Sequence, residues 1–362
     1  MRAFVVTAPR EASVWEVDAP VPGERELLVD VERVGICGTD VEFYTGEMAY
    51  LEQGLTHFPI RLGHEWTGTV VGLGPGADES WLGQRLTGDT MLGCGQCRFC
   101  LAGKHHVCPD RYEVGIQDGW PGALAEQLLV PERFAHRIPD SVSVTAAALV
   151  EPGGNSLRAV DAAGTGGRLL ILGSGTIGLL AAQFALAHGF EVEVAGVRPG
   201  SLELARSVGV PVTRTIAELS GLEGVHYDAV IDATSDASAP HLAAQLVDPG
   251  GRVVYIGLSG TPSHVDTRDL ALKDVTAVGI LSASPGLPGA IELFASGAVR
   301  PETIVSEVIG LAEVADRVLV MYRGDKVEEG ELDAVLDRAA ELLEGRASVE
   351  GEDDLRERLL QG

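Results

Sequence analysis

The sequence predicts a two-domain protein of the α/β plus β class, in which a partly open β-barrel precedes a doubly wound parallel sheet. Short β-branched segments separated by glycine and proline turns fill residues 1–145, a pattern typical of an all-β domain. From residue 146 to residue 284, strand and helix patterns alternate, which favours a parallel sheet covered by helices. The 362 residues are enough for two domains that each bury a core.

Two sets of segments supply the predicted strands. The barrel strands are predicted at residues 2–7, 26–34, 66–73, 85–86 and 125–130. The strands of the parallel sheet are predicted at residues 169–172, 191–197, 229–232, 252–256 and 276–280. An Ala/Leu-rich helix is predicted at residues 179–188, directly after the first of these strands.

A cluster of cysteines at residues 94–108 forms a separate lobe of the predicted barrel domain. The cysteines follow the spacing C-x2-C-x2-C-x7-C, at Cys94, Cys97, Cys100 and Cys108. Four thiolates this close can surround one tetrahedral ion, and Zn²⁺ with four Cys ligands forms a closed, structural site. An iron–sulfur cluster or four unligated thiols are the alternatives. His105 and His106 lie inside the lobe and are expected to be solvated, since the thiolates already complete the shell.

The fifth cysteine points to a second metal site with a different role. Cys37 lies in VGICGTD, and His64 and Glu65 follow in LGHEWTG. One thiolate, one imidazole and one carboxylate can supply the three protein ligands of a catalytic zinc, which keeps a fourth position open for substrate or water. The chain is therefore expected to hold two zinc ions, one structural and one catalytic.

A glycine-rich turn lies between the first strand and the first helix of the predicted parallel sheet. It reads Gly173-Ser174-Gly175-Thr176-Ile177-Gly178, the G-x-G-x-x-G pattern. Glycines at these positions allow a tight turn and let a pyrophosphate approach the helix N-terminus, where free N–H groups and the helix dipole hold anions. We therefore expect a dinucleotide to contact Gly173, Gly175, Thr176, Ile177 and Gly178.

Composition limits the partners and the compartment. The formal net charge of −26 argues against nucleic acids and anionic membranes as partners. No apolar run reaches the roughly 18 residues of a membrane span, and no secretory leader is recognisable. Five cysteines with metal-ligand spacing fit a reducing, cytoplasmic location better than a disulfide framework. The acidic, lysine-poor surface is explained equally by salt adaptation or by a GC-rich genome.

Taken in order, these motifs resemble the zinc-containing medium-chain dehydrogenases, the family of alcohol, polyol, threonine and glucose dehydrogenases. The resemblance runs from residue 1 to about residue 320. It implies a zinc-dependent oxidoreductase that transfers a hydride between NAD(P) and a small alcohol or carbonyl substrate: a sugar, a cyclitol, an amino alcohol or another polyol. It also implies a homodimer or homotetramer. A nucleotide-binding protein without catalysis is the alternative from another class, and the complete ligand set argues against it.

The resemblance also assigns roles around the catalytic zinc. Glu65 is either a direct ligand or a group that exchanges on and off the metal. Glu151, in ALVEPGGN, matches a glutamate that ligates zinc in polyol dehydrogenases, although an acid at a helix N-terminus needs no metal to be stable there. Thr39 matches the hydroxyl that heads a proton relay. Asp40 is expected to be structural, and Glu42 or solvent is expected to end the relay.

The end of the second strand of the parallel sheet predicts the choice of cofactor. NAD-binding members place an acidic residue there, about 20 residues after the glycines, to accept hydrogen bonds from the ribose 2′-hydroxyl. Gly196 occupies that position, and Arg198 follows two residues later. Because an arginine can pair with a 2′-phosphate, NADP is favoured over NAD. If the loop is shifted by a residue or two, Arg198 lies on the surface, and the alternative is an NAD-dependent dehydrogenase of the threonine or sorbitol type.

The last forty residues depart from the family. By the resemblance, residues 285–325 are expected to return to the barrel domain, whereas residues 326–362 form an acidic tail. Within the tail, residues 331–343 carry apolar side chains at helical spacing. The segment is either a partly disordered appendage or a helix that docks on a neighbouring subunit.

Overall fold

The computed structural model describes residues 1–117, 119–219, 226–311, 321–322 and 325–326. The strands of the N-terminal part are β1 (Arg2–Ala8), β2 (Glu11–Glu16), β3 (Glu26–Gly35), β4 (Glu65–Leu73), β5 (Arg85–Gly88), β6 (Met91–Leu92), β7 (Tyr112–Glu113), β8 (Gln127–Pro131) and β9 (Ala135–Arg137). An antiparallel sheet is formed in the order β8-β3-β4-β5-β9, and β1–β2 and β6–β7 pair as hairpins.

Alternating residues of this sheet build the core of the β domain. Leu27 and Val29 of β3 and Leu128 and Val130 of β8 are buried together around Trp66. Because successive side chains of a strand point to opposite faces, this alternation buries one face of the sheet. The arrangement confirms the predicted β domain.

A six-stranded parallel sheet forms the second part. Its strands are β10 (Arg168–Leu172), β11 (Glu191–Gly196), β12 (Val212–Thr215), β13 (Tyr227–Asp232), β14 (Val247–Tyr255) and β15 (Thr276–Gly279). The spatial order is β12-β11-β10-β13-β14-β15, which is the doubly wound order of dinucleotide-binding folds. Strand β12 was not predicted from the sequence, because its four residues include a single large apolar side chain, Val212.

Helices cover both faces of this sheet and also occur in the β domain. They are α1 (Gly38–Thr45), α2 (Ala49–Glu52), α3 (Arg98–Leu101), α4 (Val144–Ala148), α5 (Val150–Ala163), α6 (Thr176–Ala187), α7 (Pro199–Ser207), α8 (Ile216–Leu219), α9 (Ala239–Leu246), α10 (Thr267–Leu272) and α11 (Leu287–Ala295). Phe184 of α6 stacks on Phe294 of α11 with ring centroids 5.8 Å apart. This contact lies in the large apolar cluster that includes α5 and strand β10.

The chain after α11 passes from one core to the other. Val299 and Ile304 belong to the core of the nucleotide-binding part, whereas Ile309 and Leu311 pack against the apolar cluster of the β domain. The short strands β16 (Met321–Tyr322) and β17 (Asp325–Lys326) pair with each other. The helix predicted at residues 331–343 and the rest of the acidic tail lie outside the described residues.

Candidate active site

Antiparallel pairing of β3 and β4 brings the two distant motifs of the predicted catalytic zinc site together. Gly35 at the end of β3 is in register with Glu65 at the start of β4. Cys37 follows Gly35, and His64 precedes Glu65, so both side chains lie beyond the same end of the ladder. Their Sγ and Nε2 atoms are 3.1 Å apart.

The carboxylate of Asp40 connects the backbones of the two motifs. One carboxylate oxygen accepts a hydrogen bond from the backbone N–H of Cys37 at 3.0 Å, and the other accepts one from the N–H of Gly63 at 3.2 Å. The same carboxylate lies 3.8 Å from Nδ1 of His64. In the described part of the chain, Cys37, Asp40 and His64 have ligand atoms within 4.8 Å of one another. Asp40 therefore holds both motifs in place, which the sequence indicated only as a structural role.

The two glutamates predicted as ligands surround this group. Glu65 is 7% exposed, and a Cβ at position 35 would lie 2.3 Å from its carboxylate oxygen, which explains the glycine there. Glu151, in the first turn of α5, accepts a hydrogen bond from Asn155 at 3.1 Å and one from Thr90 at 3.4 Å. Neither carboxylate belongs to the compact set of possible ligands, so their coordination stays a prediction.

The electrostatics of the cluster suit a cation. Burial raises the pKa of Glu65 to about 8, with further contributions from Glu151 and Asp40 against the opposing effect of His64. Desolvation and the carboxylates of Asp40 and Glu65 raise the pKa of the Cys37 thiol well above its usual value. Burial lowers the pKa of His64, but the surrounding carboxylates outweigh it and the net shift is upward. A divalent cation among these donors would relieve the repulsion, so the residues fit zinc.

The proposed proton relay begins beside the thiol. Thr39 lies in α1, two residues after Cys37, and its side chain lowers the pKa of the thiol against the larger opposing effects of burial and the carboxylates. Glu42 lies one turn further along α1, and burial raises its pKa, with a smaller contribution from Glu47. The relay roles of Thr39 and Glu42 remain predictions. Asn155 and Thr90 were missed at the sequence level; the spacing of four residues between Glu151 and Asn155 on one helix was the available signal.

The cysteine lobe has the dimensions of a tetrathiolate zinc site. The sulfur–sulfur distances are 3.6 Å for Cys97–Cys100, 3.7 Å for Cys97–Cys108 and 4.0 Å for Cys94–Cys100, and all four thiols are free of disulfides. A tetrahedral ion with Zn–S bonds of about 2.3 Å separates its sulfurs by roughly 3.8 Å. The four thiols therefore fit Zn²⁺ as they stand.

The expectation that His105 and His106 are solvated was wrong for His106, which is buried. His105 is partly exposed, and its Nε2 lies 3.0 Å from the carboxylate of Asp89, which is itself buried. The other oxygen of Asp89 lies 3.6 Å from Nε2 of His136 in β9. The carboxylate thus joins the cysteine lobe to the barrel sheet, a contact between residues distant in sequence.

The glycine loop has the geometry that dinucleotide binding requires. Gly173 follows β10 with φ of +105°, and a Cβ there would lie 2.7 Å from the carbonyl oxygen of Ala233. A Cβ at Gly178 would lie 2.0 Å from the carbonyl oxygen of Gly173. Gly175 caps α6, so the N–H groups of Thr176 and Ile177 begin the helix. The loop therefore leaves backbone N–H groups at a helix N-terminus, where a pyrophosphate binds.

The cofactor-selecting position is more crowded than the sequence suggested. Gly196 ends β11, and a Cβ there would lie 2.4 Å from Oγ of Ser174, in the glycine loop. Ser174 Oγ is in turn 2.5 Å from Oγ of Ser201, in the first turn of α7. Arg198 precedes α7, and its carbonyl oxygen accepts a hydrogen bond from Ser201. Gly196 thus borders the hydroxyl group of Ser174, which is in turn bonded to Ser201.

Comparisons with known proteins follow the same division of the chain. Residues 23–140 match the alcohol dehydrogenase GroES-like domain, and residues 176–296 match the zinc-binding dehydrogenase family. The L-threonine 3-dehydrogenase of Coxiella burnetii (strain Dugway 5J108-111) is 33% identical over 272 residues, which are 72% of this chain and 78% of that protein.

Solved structures agree with this assignment. A candidate zinc-binding dehydrogenase from Sinorhizobium meliloti 1021, bound to NADP, has a TM-score of 0.80 and 31% identity, and the match covers 87% of this chain and 94% of that one. An alcohol dehydrogenase from Escherichia coli CFT073, in complex with NADH, has a TM-score of 0.81 and 26% identity over 88% of this chain and 94% of that one. Among the described residues, every helix is too short or too polar to span a lipid bilayer. The chain belongs to the zinc-containing medium-chain dehydrogenases and is an NAD(P)-dependent dehydrogenase.

Proposed function

We propose that the protein interconverts a secondary alcohol or polyol and its carbonyl form, with NADP as the preferred hydride carrier. The observation that carries the proposal is the contact of 3.1 Å between Cys37 Sγ and His64 Nε2, held by Asp40. Cys37 and His64 would hold the catalytic zinc, with Glu65 or Glu151 as the third ligand. When bound, the zinc supplies a Lewis acid that makes the substrate hydroxyl more acidic, and NADP supplies the hydride acceptor.

The remaining chemistry belongs to side chains of this chain. Asp40 accepts hydrogen bonds from the backbone N–H groups of Cys37 and of Gly63, the residue before His64, so that both donors are held close together. Thr39, two residues after Cys37, accepts the proton of the substrate hydroxyl and passes its own proton outward. Glu42, on the same helix, is the acceptor at the outer end of the relay. Burial raises the pKa of Glu42 above the ordinary carboxyl range, which favours proton uptake by this group.

The preference for NADP rests on the end of β11. A carboxylate at position 196 would repel the 2′-phosphate, and Gly196 has no side chain. Ser174 and Ser201 offer hydroxyl groups beside this position, and Arg198 offers a guanidinium two residues later. The solved relatives were crystallised with NADP in one case and NADH in another, so they favour neither cofactor.

A threonine 3-dehydrogenase activity is the second candidate. It is favoured because curated relatives at 31–33% identity carry that name. L-threonine carries a secondary hydroxyl group, so this candidate uses the same zinc site as the main proposal. The two candidates differ in the substrate and in the cofactor, which would be NAD for the threonine dehydrogenase. We further propose two zinc ions per chain and a homo-oligomeric assembly.

A substrate and metal experiment tests the proposal. Purified protein is assayed with sugars, polyols, cyclitols and L-threonine in the presence of NADP or NAD, by the absorbance of the reduced nicotinamide. We expect oxidation of at least one secondary alcohol, a higher kcat/KM with NADP, and two zinc equivalents by elemental analysis. Cys37→Ala should lose one equivalent and nearly all turnover. The proposal is wrong if Cys37→Ala keeps full activity or if NAD is used as efficiently as NADP.

A further inference from the structure

A second cavity, of about 600 Å³, lies in the β domain away from the residues described so far. Its described walls come from the β1–β2 hairpin and the residue that follows it, residues 54–57 and 59–61, and residues 116–117 and 119–121. None of the proposed zinc ligands, and no residue of the glycine loop, lines it. Its volume falls in the range of small-molecule binding sites. The cavity is therefore a separate site and needs its own explanation.

The charge of this cavity is opposite to that of the protein as a whole. The chain has 53 acidic and 27 basic residues. Nevertheless, the described residues that line the cavity include no carboxylate, and Arg61 is the single arginine or lysine among them. His57 is the other group that can carry a positive charge. In so acidic a protein, a cavity with this lining favours an anion and excludes a cation.

Arg61 is held at the cavity without a counterion among the described residues. Its Nε atom is buried and has no hydrogen-bond partner there. Burial alone lowers the pKa of the guanidinium to about 10, and no acidic neighbour opposes the shift. The backbone is fixed, because the Arg61 carbonyl accepts a hydrogen bond from the N–H of Gly122 at 2.8 Å. A desolvated cation without a partner is costly, and an anion from outside would remove that cost.

Aromatic side chains form the apolar part of the same cavity. Trp15 lies on the hairpin and is 42% exposed, and Trp120 lies on the facing loop. Val5 and Ile116 add aliphatic surface. Indole rings provide large flat contact areas for a ring or another apolar body, and a guanidinium pairs with carboxylate or phosphate oxygens through two parallel hydrogen bonds. The lining thus fits a ligand with one anionic end and one apolar end.

We propose that this cavity binds a small organic anion, a carboxylate or a phosphate monoester on an aromatic or apolar body, with Arg61 paired to the anionic group and Trp15 and Trp120 against the body. The site is independent of the reaction at the zinc centre. Residues 59–61 form part of its wall and lie just before His64, so the bound anion contacts the segment that leads into the zinc site.

Direct binding measurements test the site. Zinc-loaded protein saturated with NADP is titrated with phenyl phosphate, benzoate, inorganic phosphate and the neutral control benzyl alcohol, by calorimetry and by tryptophan fluorescence. We expect saturable binding of phenyl phosphate or benzoate, weaker binding of inorganic phosphate and none of benzyl alcohol. The stronger of the first two probes identifies the anionic group. Arg61→Gln should weaken that probe roughly tenfold or more, whereas Arg61→Lys should keep part of the affinity.

Three control variants complete the design. Arg300→Gln removes an exposed arginine that is paired with Glu302 and should leave the affinity unchanged. Arg198→Ala should also leave it unchanged; a loss there instead would assign the anion to the cofactor site and overturn the proposal. Asp118 is next to lining residues in the sequence and lies outside the described residues. Binding of the probes by Asp118→Asn but not by the wild type would show that Asp118 already neutralises Arg61, and this outcome would overturn the proposal. Absence of saturable binding to the wild type, or equal affinity in Arg61→Gln with an unchanged melting temperature, would equally refute the site.

Discussion

Introducing a carboxylate at Gly196 should change both cofactor preference and stability, because two effects meet at this position. An aspartate there would accept hydrogen bonds from the ribose 2′-hydroxyl of NAD and repel the 2′-phosphate of NADP. However, its Cβ would lie 2.4 Å from Oγ and 3.1 Å from Cβ of Ser174, and 3.2 Å from a methyl group of Leu202. Gly196→Asp alone therefore disturbs the glycine loop as well as the cofactor pocket.

The size of each effect follows from these contacts. Moving the Ser174 hydroxyl breaks its 2.5 Å contact with Ser201, and a lost hydrogen bond costs about 1 kcal/mol. Overpacking adds about 1–3 kcal/mol. We expect Gly196→Asp to lower the free energy of unfolding by about 2–4 kcal/mol in total. Ser174→Gly removes both contacts with Ser174 but also the hydroxyl that bonds to Ser201. The double variant Ser174→Gly/Gly196→Asp should therefore recover most of the overpacking loss and none of the hydrogen-bond loss.

The cofactor effect is read from the double variant. Weakening the interaction of the protein with the 2′-phosphate by about 1.5–3 kcal/mol lowers kcat/KM for NADP roughly 10- to 150-fold. The measurements are denaturant unfolding and kcat/KM with each cofactor, with Ser174→Gly alone as the matched control. Gly196→Asp as stable as the wild type would refute the packing argument. A double variant that folds and still prefers NADP would refute the placement of the 2′-phosphate.

Two further predictions concern buried carboxylates. Asp89→Asn should lower the free energy of unfolding of the zinc-loaded protein by about 1–3 kcal/mol, because Asp89 joins His105 to His136. The control Asp110→Asn changes an exposed carboxylate and should alter this free energy little. Equal effects of the two variants in urea unfolding would contradict the contact of Asp89 with the two histidines. Burial raises the pKa of Asp232 from the ordinary carboxyl range to about 6. At pH values between that range and 6, Asp232 is therefore protonated in more of the native molecules than of the unfolded ones. Stability should therefore fall as pH rises through this window, by up to about 3 kcal/mol relative to Asp232→Asn, and parallel pH profiles of the two proteins would contradict the assignment.

The motifs that the sequence identified reliably are those whose residues are close along the chain. The four thiols of the cysteine lobe span fifteen residues, and a chain that short can present them to one ion only in a few ways. The glycine loop is likewise local, since it needs only a strand before Gly173 and a helix after Gly175. Alternating strand and helix patterns also predicted the parallel sheet, although the short and largely polar strand β12 escaped notice.

The sequence by itself determined the class of fold, and it supplied the predictions of the two zinc-ligand sets and of the dinucleotide loop, because periodicity and motif spacing can be read along the chain. Only the tertiary structure decided which distant groups meet. Pairing of β3 with β4 places Cys37 against His64, and the approach of the glycine loop to β11 places Ser174 where a Cβ at Gly196 would lie. The zinc-ligand motifs predicted that Cys37 and His64 meet, but no local pattern foretells the strand register that brings them together or the contact at Gly196, since both depend on packing between elements far apart in the chain.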